Sequence, residues 1–114
     1  MSDTDVVRAS IEAYLAQDLD AAEALIAEDF EFTSPQDDHI GKSAYLEHCF
    51  PTADRFTFHE ILELVTVGED GVFLLYEYVL QNGGERYRNA EFITVRGGRL
   101  VQTQVFFGGR VNPP

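Results

Sequence analysis

Residues 86–107 read RYRNAEFITVRGGRLVQTQVFF. Alternate positions carry apolar side chains through much of this run, the period of a β-strand. Gly97-Gly98 interrupts it near the middle, and glycines accept the positive φ of a tight hairpin turn. The run therefore reads as two antiparallel strands. A type I turn with a glycine bulge at Gly98 pairs Val95 with Arg99, Ile93 with Val101, Glu91 with Thr103 and Asn89 with Val105.

The same period extends upstream. After Arg55 four strands are expected, at about 56–67, 71–81, 85–96 and 99–107, with turns at 68–71, 82–83 and 97–98. A two-residue Asn82-Gly83 turn pairs Tyr78 with Tyr87, Tyr76 with Asn89 and Leu74 with Glu91. The two registers agree on which side chains share a face. One face carries Leu74, Tyr76, Tyr78, Tyr87, Asn89, Glu91, Ile93, Val101, Thr103, Val105 and Phe107. The other carries Phe73, Leu75, Glu77, Arg88, Ala90, Phe92, Thr94, Gln102, Gln104 and Phe106. Glu77 lies opposite Arg88 there, a cross-strand ion pair.

Before Arg55 the period is helical. Val7, Ile11, Tyr14 and Leu15 fall on one helix face, with Ser2 or Asp3 as cap. Asp20 opens a second, short helix, with Glu23 completing a capping box and Ala22, Leu25 and Ile26 turned inward. Phe30–Thr33 is a short strand that Pro35 stops, and 36–41 is a loop. A third helix spans about Lys42 to Phe50 and ends at Pro51. The order implies an α+β fold: a curved antiparallel sheet forming a cone, packed against three N-terminal helices. One domain fills residues 1–114, with a core at about 3–108 and a tail at 109–114.

Charge narrows the partners. Eight basic residues against twenty acidic ones give a net charge of −12, which repels phosphate backbones and anionic membranes. Nucleic acid and membrane are set aside. No apolar run reaches the ~18 residues of a membrane span, and MSDTDVVRAS does not read as a signal peptide. The single cysteine, Cys49, allows no internal disulfide and fits a reducing, cytoplasmic setting.

The apolar first face belongs under the helices, where a cone encloses a small-molecule pocket. Glu91 in such a place gains proton affinity by desolvation and becomes an acid or a hydrogen-bond donor. Tyr14 can donate to a ligand oxygen; its bland alternative is a core tyrosine bonded to Glu91. Tyr76, Tyr78, Tyr87, Asn89, Thr103, Val105 and Phe107 supply walls. Asp37 or Asp38 can reach in from the loop. Asp37-Asp38-His39 offers metal-ligating groups, but adjacent residues rarely converge on one ion and no second histidine stands at ligand spacing, so no metal is assigned. No cofactor is expected. Phe73, Leu75, Phe92 and Phe106 would leave an apolar patch on the outer face, so a homodimer through that face is expected.

Three segments carry a family likeness: Glu12-Ala13-Tyr14-Leu15, Phe32-Thr33-Ser34-Pro35, and Arg88-Asn89-Ala90-Glu91-Phe92-Ile93 running on to Leu100. Together they resemble the nuclear transport factor 2-like superfamily, in its SnoaL-like branch, over about residues 3–108. The resemblance implies a cone-shaped fold, frequent dimers and a pocket between sheet and helices. It also implies a choice of functions, among them polyketide cyclases, ketosteroid isomerases, scytalone dehydratase, epoxide hydrolases and non-catalytic binders. Ketosteroid isomerase uses a tyrosine and a neutral carboxylic acid to hold an oxyanion. Tyr14 matches the first, and Glu91 falls at or next to the second. Where that enzyme has an aspartate base just before a proline, this chain has Ser34. The functions carried forward are cofactor-free proton transfer on a small apolar carbonyl compound, and ligand binding or dimerisation without turnover.

Overall fold

The computed structural model describes residues 1–111, Phe58 by its backbone alone. Helix α1 spans Asp3–Ala16 and α2 spans Leu19–Leu25. Ser2 caps α1 in a reciprocal capping box with Asp5, which satisfies two of the free N–H groups at the helix start. The α2 cap is Asp18, whose side chain accepts from the Ala21 N–H. Asp20, expected to open that helix, lies inside its first turn, where its charge suits the helix dipole.

Strand β1, Ile26–Thr33, begins directly after α2 and is longer than the expected Phe30–Thr33. A two-residue strand β2, Ile40–Gly41, precedes helix α3, Lys42–His48. A 3₁₀ turn over Phe50–Arg55 follows, where the sequence predicted only a helix end at Pro51. Strands β3 (Phe56–Val67), β4 (Gly71–Leu80), β5 (Arg86–Arg96) and β6 (Arg99–Arg110) complete the chain. Gly109 and Arg110, expected in the tail, thus belong to a strand. Tyr87 pairs with Arg110, and the Val111 N–H bonds to the Arg86 carbonyl. The remainder of the expected tail, 112–114, lies outside the described residues.

The six strands form one sheet in the order β2-β1-β6-β5-β4-β3. The meander β3 to β6 is antiparallel, but β1 runs parallel to β6, so the sheet is mixed. Three helices and a strongly curled sheet make a half-barrel. The core lies between them: Val6 and Val7 of α1 meet Phe30 of β1, Val72 and Leu74 of β4, and Ile93 and Val95 of β5, all nearly inaccessible. Such burial contributes roughly 1.5–3 kcal/mol per large apolar side chain.

The β4–β5 register is as expected, with Tyr78 opposite Tyr87, Tyr76 opposite Asn89 and Glu77 opposite Arg88. The loop between them differs. It spans residues 81–85, and Gly84 rather than Asn82 or Gly83 holds the positive φ.

The β5–β6 register is shifted. Gly97 and Gly98 both take positive φ in a two-residue turn that pairs Arg96 with Arg99. A bulge at Val101 follows, so Val95 pairs with Leu100, Ile93 with Thr103, Glu91 with Val105 and Asn89 with Phe107. The turn and the bulge each move the ladder by one residue. The two shifts preserve the alternation, and Thr103, Val105 and Phe107 stay on the inner face. Leu100 takes the buried place assigned to Val101.

Candidate functional site

The half-barrel encloses a cavity of about 630 Å³ between the inner sheet face, α1, α3 and the loop after β1. Of the expected residues, Tyr14, Asp37, Tyr76, Tyr78, Asn89, Glu91, Thr103, Val105 and Phe107 line it. Phe107 remains half exposed.

Two expected residues do not line it. Asp38 is exposed, and its carboxylate sits 2.6 Å from His39 Nδ1 on the solvent side of the loop. A tight turn between Ser34 and Asp37 sets this loop, with backbone hydrogen bonds in both directions. Tyr87 stacks on Tyr78 with ring centroids 5.7 Å apart, but its hydroxyl turns to Glu85.

Four side chains on β4 and β5 form a chain of hydrogen bonds. The Tyr78 hydroxyl donates to Asn89 Oδ1 (3.4 Å), and Asn89 Nδ2 donates to the Tyr76 hydroxyl oxygen (3.3 Å). Tyr76 in turn donates to Glu91 Oε2 (2.8 Å). Glu91 is the terminal acceptor. Burial raises its pKa to about 7, against the opposing pull of the Tyr76 bond. Burial also raises the Tyr76 hydroxyl, with the charge of Glu91 adding to it, so Tyr76 remains a donor across the physiological range.

Tyr14 does not bond to Glu91. Thr52 gives its own proton to the Cys49 carbonyl (2.8 Å), so the 2.7 Å contact between Tyr14 and Thr52 has Tyr14 as donor. Gln17 adds a second tie by donating to the Phe50 carbonyl. These bonds fasten the end of α1 to the 3₁₀ turn.

Asp37 accepts from the Ser34 hydroxyl (3.3 Å) and faces the Cys49 thiol (3.8 Å). Burial first, and Asp37 second, pushes that thiol up to about 11, which makes it a poor thiolate. Among the described residues, no group of three or more His, Cys, Asp or Glu side chains is arranged to hold a metal ion.

Residues not expected from the sequence also line the cavity: His59, Tyr45, Thr52, Arg55 and Phe56. Tyr45 packs its ring against Phe30 and Phe32. No periodic signal marks His59. The β3 ladder is irregular between Phe56 and Phe58, and again between Ile61 and Glu63. Each extra residue reverses which side chains point inward.

A second, shallower groove lies between α2 and α3, lined by Leu19, Glu23, Glu28, Lys42 and Glu47. Its lysine is engaged, with Nζ donating to the Ile26 carbonyl (2.9 Å) and to Glu28 (3.0 Å). That is a structural role, pinning α3 to the start of β1.

The SnoaL-like domain profile matches residues 7–103, spanning both the helices that cover the cavity and the strands that line it. The chain belongs to the SnoaL-like domain family. No curated protein matches it. Solved structures that resemble it share the fold at low identity. A candidate ketosteroid isomerase from Kribbella flavida superposes with a TM-score of 0.77 at 20% identity, over 98% of this chain and 82% of that one. A candidate polyketide cyclase from Sinorhizobium meliloti gives 0.75 at 22%, over 89% and 93%. A nuclear transport factor 2-like protein of unknown function from Cytophaga hutchinsonii gives 0.75 at 18%, over 94% and 90%. Among the described residues no helix of this SnoaL-like chain is long and apolar enough to cross a membrane.

Proposed function

We propose that this SnoaL-like protein binds a small, flat, mostly apolar carbonyl compound and moves a proton on it without a cofactor, as in isomerisation, cyclisation or dehydration. One observation carries the reading. Glu91 lines the cavity among aromatic and aliphatic side chains interspersed with polar ones, with Tyr76 as its hydrogen-bond donor and a pKa raised to about 7. Near neutral pH a sizeable fraction of molecules hold Glu91 protonated. Its O–H is then a donor for a carbonyl oxygen, and it strengthens as negative charge develops there. Asp37, lining the same cavity, supplies a second carboxylate. Two of the structurally similar proteins carry names from this chemistry, a ketosteroid isomerase and a polyketide cyclase.

The test is a thermal-shift screen of wild type and Glu91→Gln against enones, polyketide-like aromatics and steroids. A ligand at ~100 times its Kd adds ~2.7 kcal/mol. The expected result is a compound that stabilises wild type, loses its effect in Glu91→Gln and is converted by wild type alone. A compound that stabilises both proteins equally and is never converted would sink the catalytic reading.

That outcome favours a second reading, a binding protein without turnover. Two observations support it. The Tyr14 hydroxyl already donates to Thr52, and Ser34 stands where a pre-proline aspartate base would sit.

The outer sheet face supports a homodimer. Leu75, Ala90 and Phe106 form one row across β4, β5 and β6, and Phe73 and Phe92 form the next. Phe106 is 55% exposed. A second copy covering these rows removes an apolar patch from water. Light scattering should give twice the chain mass for wild type and a single chain for Phe106→Asp. The −12 charge argues against nucleic acid and anionic membrane as partners. The lone Cys49 thiol suits a cytoplasmic setting.

A further inference from the structure

His59 enters the same cavity as Glu91, and the proton-transfer scheme above leaves it without a task. It stands on β3 opposite Tyr78, and its ring lies on the ring of Tyr76, centroids 4.9 Å apart and planes at 24°. The hydroxyl of that same Tyr76 donates to Glu91. One tyrosine therefore positions both groups, the imidazole on its face and the carboxyl at its hydroxyl.

A local distortion puts His59 there. The ladder pairs Phe56 with Leu80 but Phe58 with Val79, so Thr57 is an extra residue. Phe56 faces the cavity, and strict alternation from it would bring Glu60 inward. The bulge substitutes His59, and bulges commonly re-aim side chains in this way beside functional sites. Among the described residues neither imidazole nitrogen has a protein hydrogen-bond partner, and neither is sealed off from solvent.

We propose that His59 is the base that takes a carbon-bound proton from the ligand while Glu91 serves the oxygen end. The proposal rests on the reading of the cavity as a proton-transfer site. In an enone isomerisation, an imidazole nitrogen takes the proton from the carbon beside the carbonyl. The C–H electron pair becomes the new carbon–carbon double bond, and the carbonyl π pair moves to oxygen, which accepts the Glu91 hydrogen bond. The imidazolium then returns its proton to the remote carbon of the dienolate: the oxygen pair re-forms the carbonyl, the enolate double bond shifts one bond along, and the remote double-bond pair forms the new C–H bond. The double bond moves and no electrons are gained or lost.

The proton affinities of the two groups suit these roles. Burial lowers His59 below its usual 6.5 and raises Glu91 to about 7. The imidazole is then neutral while much of the carboxyl still holds its proton, the separation that acid and base assignments require. The other titratable groups around the cavity are Tyr76 and Tyr78 on β4, Tyr14 on α1, Asp37 in the loop and Arg55 in the 3₁₀ turn. Tyr45 and His48 on α3, and Cys49 just after it, complete the set. Burial, not any of these charges, sets the His59 shift.

The experiment uses 5-nitrobenzisoxazole, a flat aromatic probe with one acidic ring C–H. A base takes that proton, the C–H pair completes a nitrile, the N–O bond breaks, and its pair stays on oxygen to give one coloured cyanophenolate product. Wild type is expected to open it faster than free imidazole at equal concentration, with a rate that rises through a midpoint below pH 6.5. His59→Gln is expected to lose about 10²-fold, and Glu91→Gln less. A folded His59→Gln that keeps the wild-type rate overturns the proposal. So does a wild-type rate that rises around pH 7 instead, which would make Glu91 the base. The pH profile needs no variant, so it decides even if His59→Gln fails to fold. Loss in Glu91→Gln alone removes His59 and keeps Glu91. Wild type no faster than imidazole removes both.

Discussion

Tyr76 and Glu91 meet diagonally across two neighbouring strands. Tyr76 stands opposite Asn89 in the ladder, and Glu91 lies two residues further along β5 on the same face. A tyrosine is long enough to span that diagonal, and its hydroxyl reaches Glu91 Oε2 at 2.8 Å. The bond favours the ionised carboxyl while burial opposes it. Tyr76→Phe should therefore raise the Glu91 pKa above about 7. Carbon-13 NMR of a glutamate-labelled sample, titrated from pH 5 to 9, reads the shift; a midpoint that falls or stays fixed contradicts the assignment.

Glu91 also makes the fold sensitive to pH. Its folded pKa of about 7 exceeds the unfolded value near 4.5. Between those limits the native state binds more protons than the unfolded one, so this group lowers stability as pH rises from about 4.5 to 7. The full span is up to ~3 kcal/mol. Glu91→Gln removes that loss. Urea melts at pH 5 and pH 7.5 should show wild type losing more stability than the variant between the two.

Two other groups act with the opposite sign. His59 has a lowered folded pKa, so its contribution is lost as pH falls below its unfolded value near 6.5. Glu77 is held ionised first by Arg88 and then by Arg86, and its contribution is lost as pH falls through its lowered pKa. The Glu77→Gln variant should resist acid unfolding less steeply than wild type, with a shallower dependence of Tm on pH below about 4.5.

The α1 anchor can be tested without any ligand. Tyr14→Phe removes one hydrogen bond and should cost ~1 kcal/mol. Thr52→Val leaves both the Tyr14 hydroxyl and the Cys49 carbonyl without this partner and should cost more, ~1–3 kcal/mol. Denaturant midpoints of the two variants check the order.

Gly71 opens β4 at a point where space is short. A Cβ there would lie 2.6 Å from the Val67 carbonyl oxygen and 2.8 Å from the Phe92 ring. Gly71→Ala should cost ~1–3 kcal/mol, because a backbone oxygen cannot step aside as a side-chain tip can. A thermal melt within a degree of wild type would show that the strand relaxes freely.

Legibility in the sequence followed the regularity of the ladder. Alternation and a loop of compatible length were enough to place Tyr78 opposite Tyr87, Tyr76 opposite Asn89 and Glu77 opposite Arg88. The inner-face placement of Thr103 and Val105 was readable too, though their partners were not, because the Gly97-Gly98 turn and the Val101 bulge add to a shift of two residues, which keeps the face and changes the partner. The parallel pairing of β1 with β6 leaves no mark in local periodicity, since it joins segments some seventy residues apart. His59 stayed hidden behind the Thr57 bulge. Glu91 was legible as an inward-facing carboxyl, but not its donor: Tyr76, rather than Tyr14, reaches it, because Thr52 arrives through a 3₁₀ turn that Pro51 concealed. Tyr87 was read on the right strand face but past the edge of the cavity, and Asp38 one step too far round the loop.

The bulges at Thr57 and Val101 have a consequence for how such a chain can change. In a strand, the side chains that line a cavity are chosen by counting as much as by identity. Losing the bulge at Thr57 with every residue kept would exchange His59 for Glu60 at the wall, and losing the one at Val101 would bring Gln102 and Gln104 inward in place of Thr103 and Val105. Gain or loss of a bulge at these two points therefore rewrites the lining in one step, where point substitution would need several. A fold built this way can acquire a new ligand by shifting its reading of the same side chains.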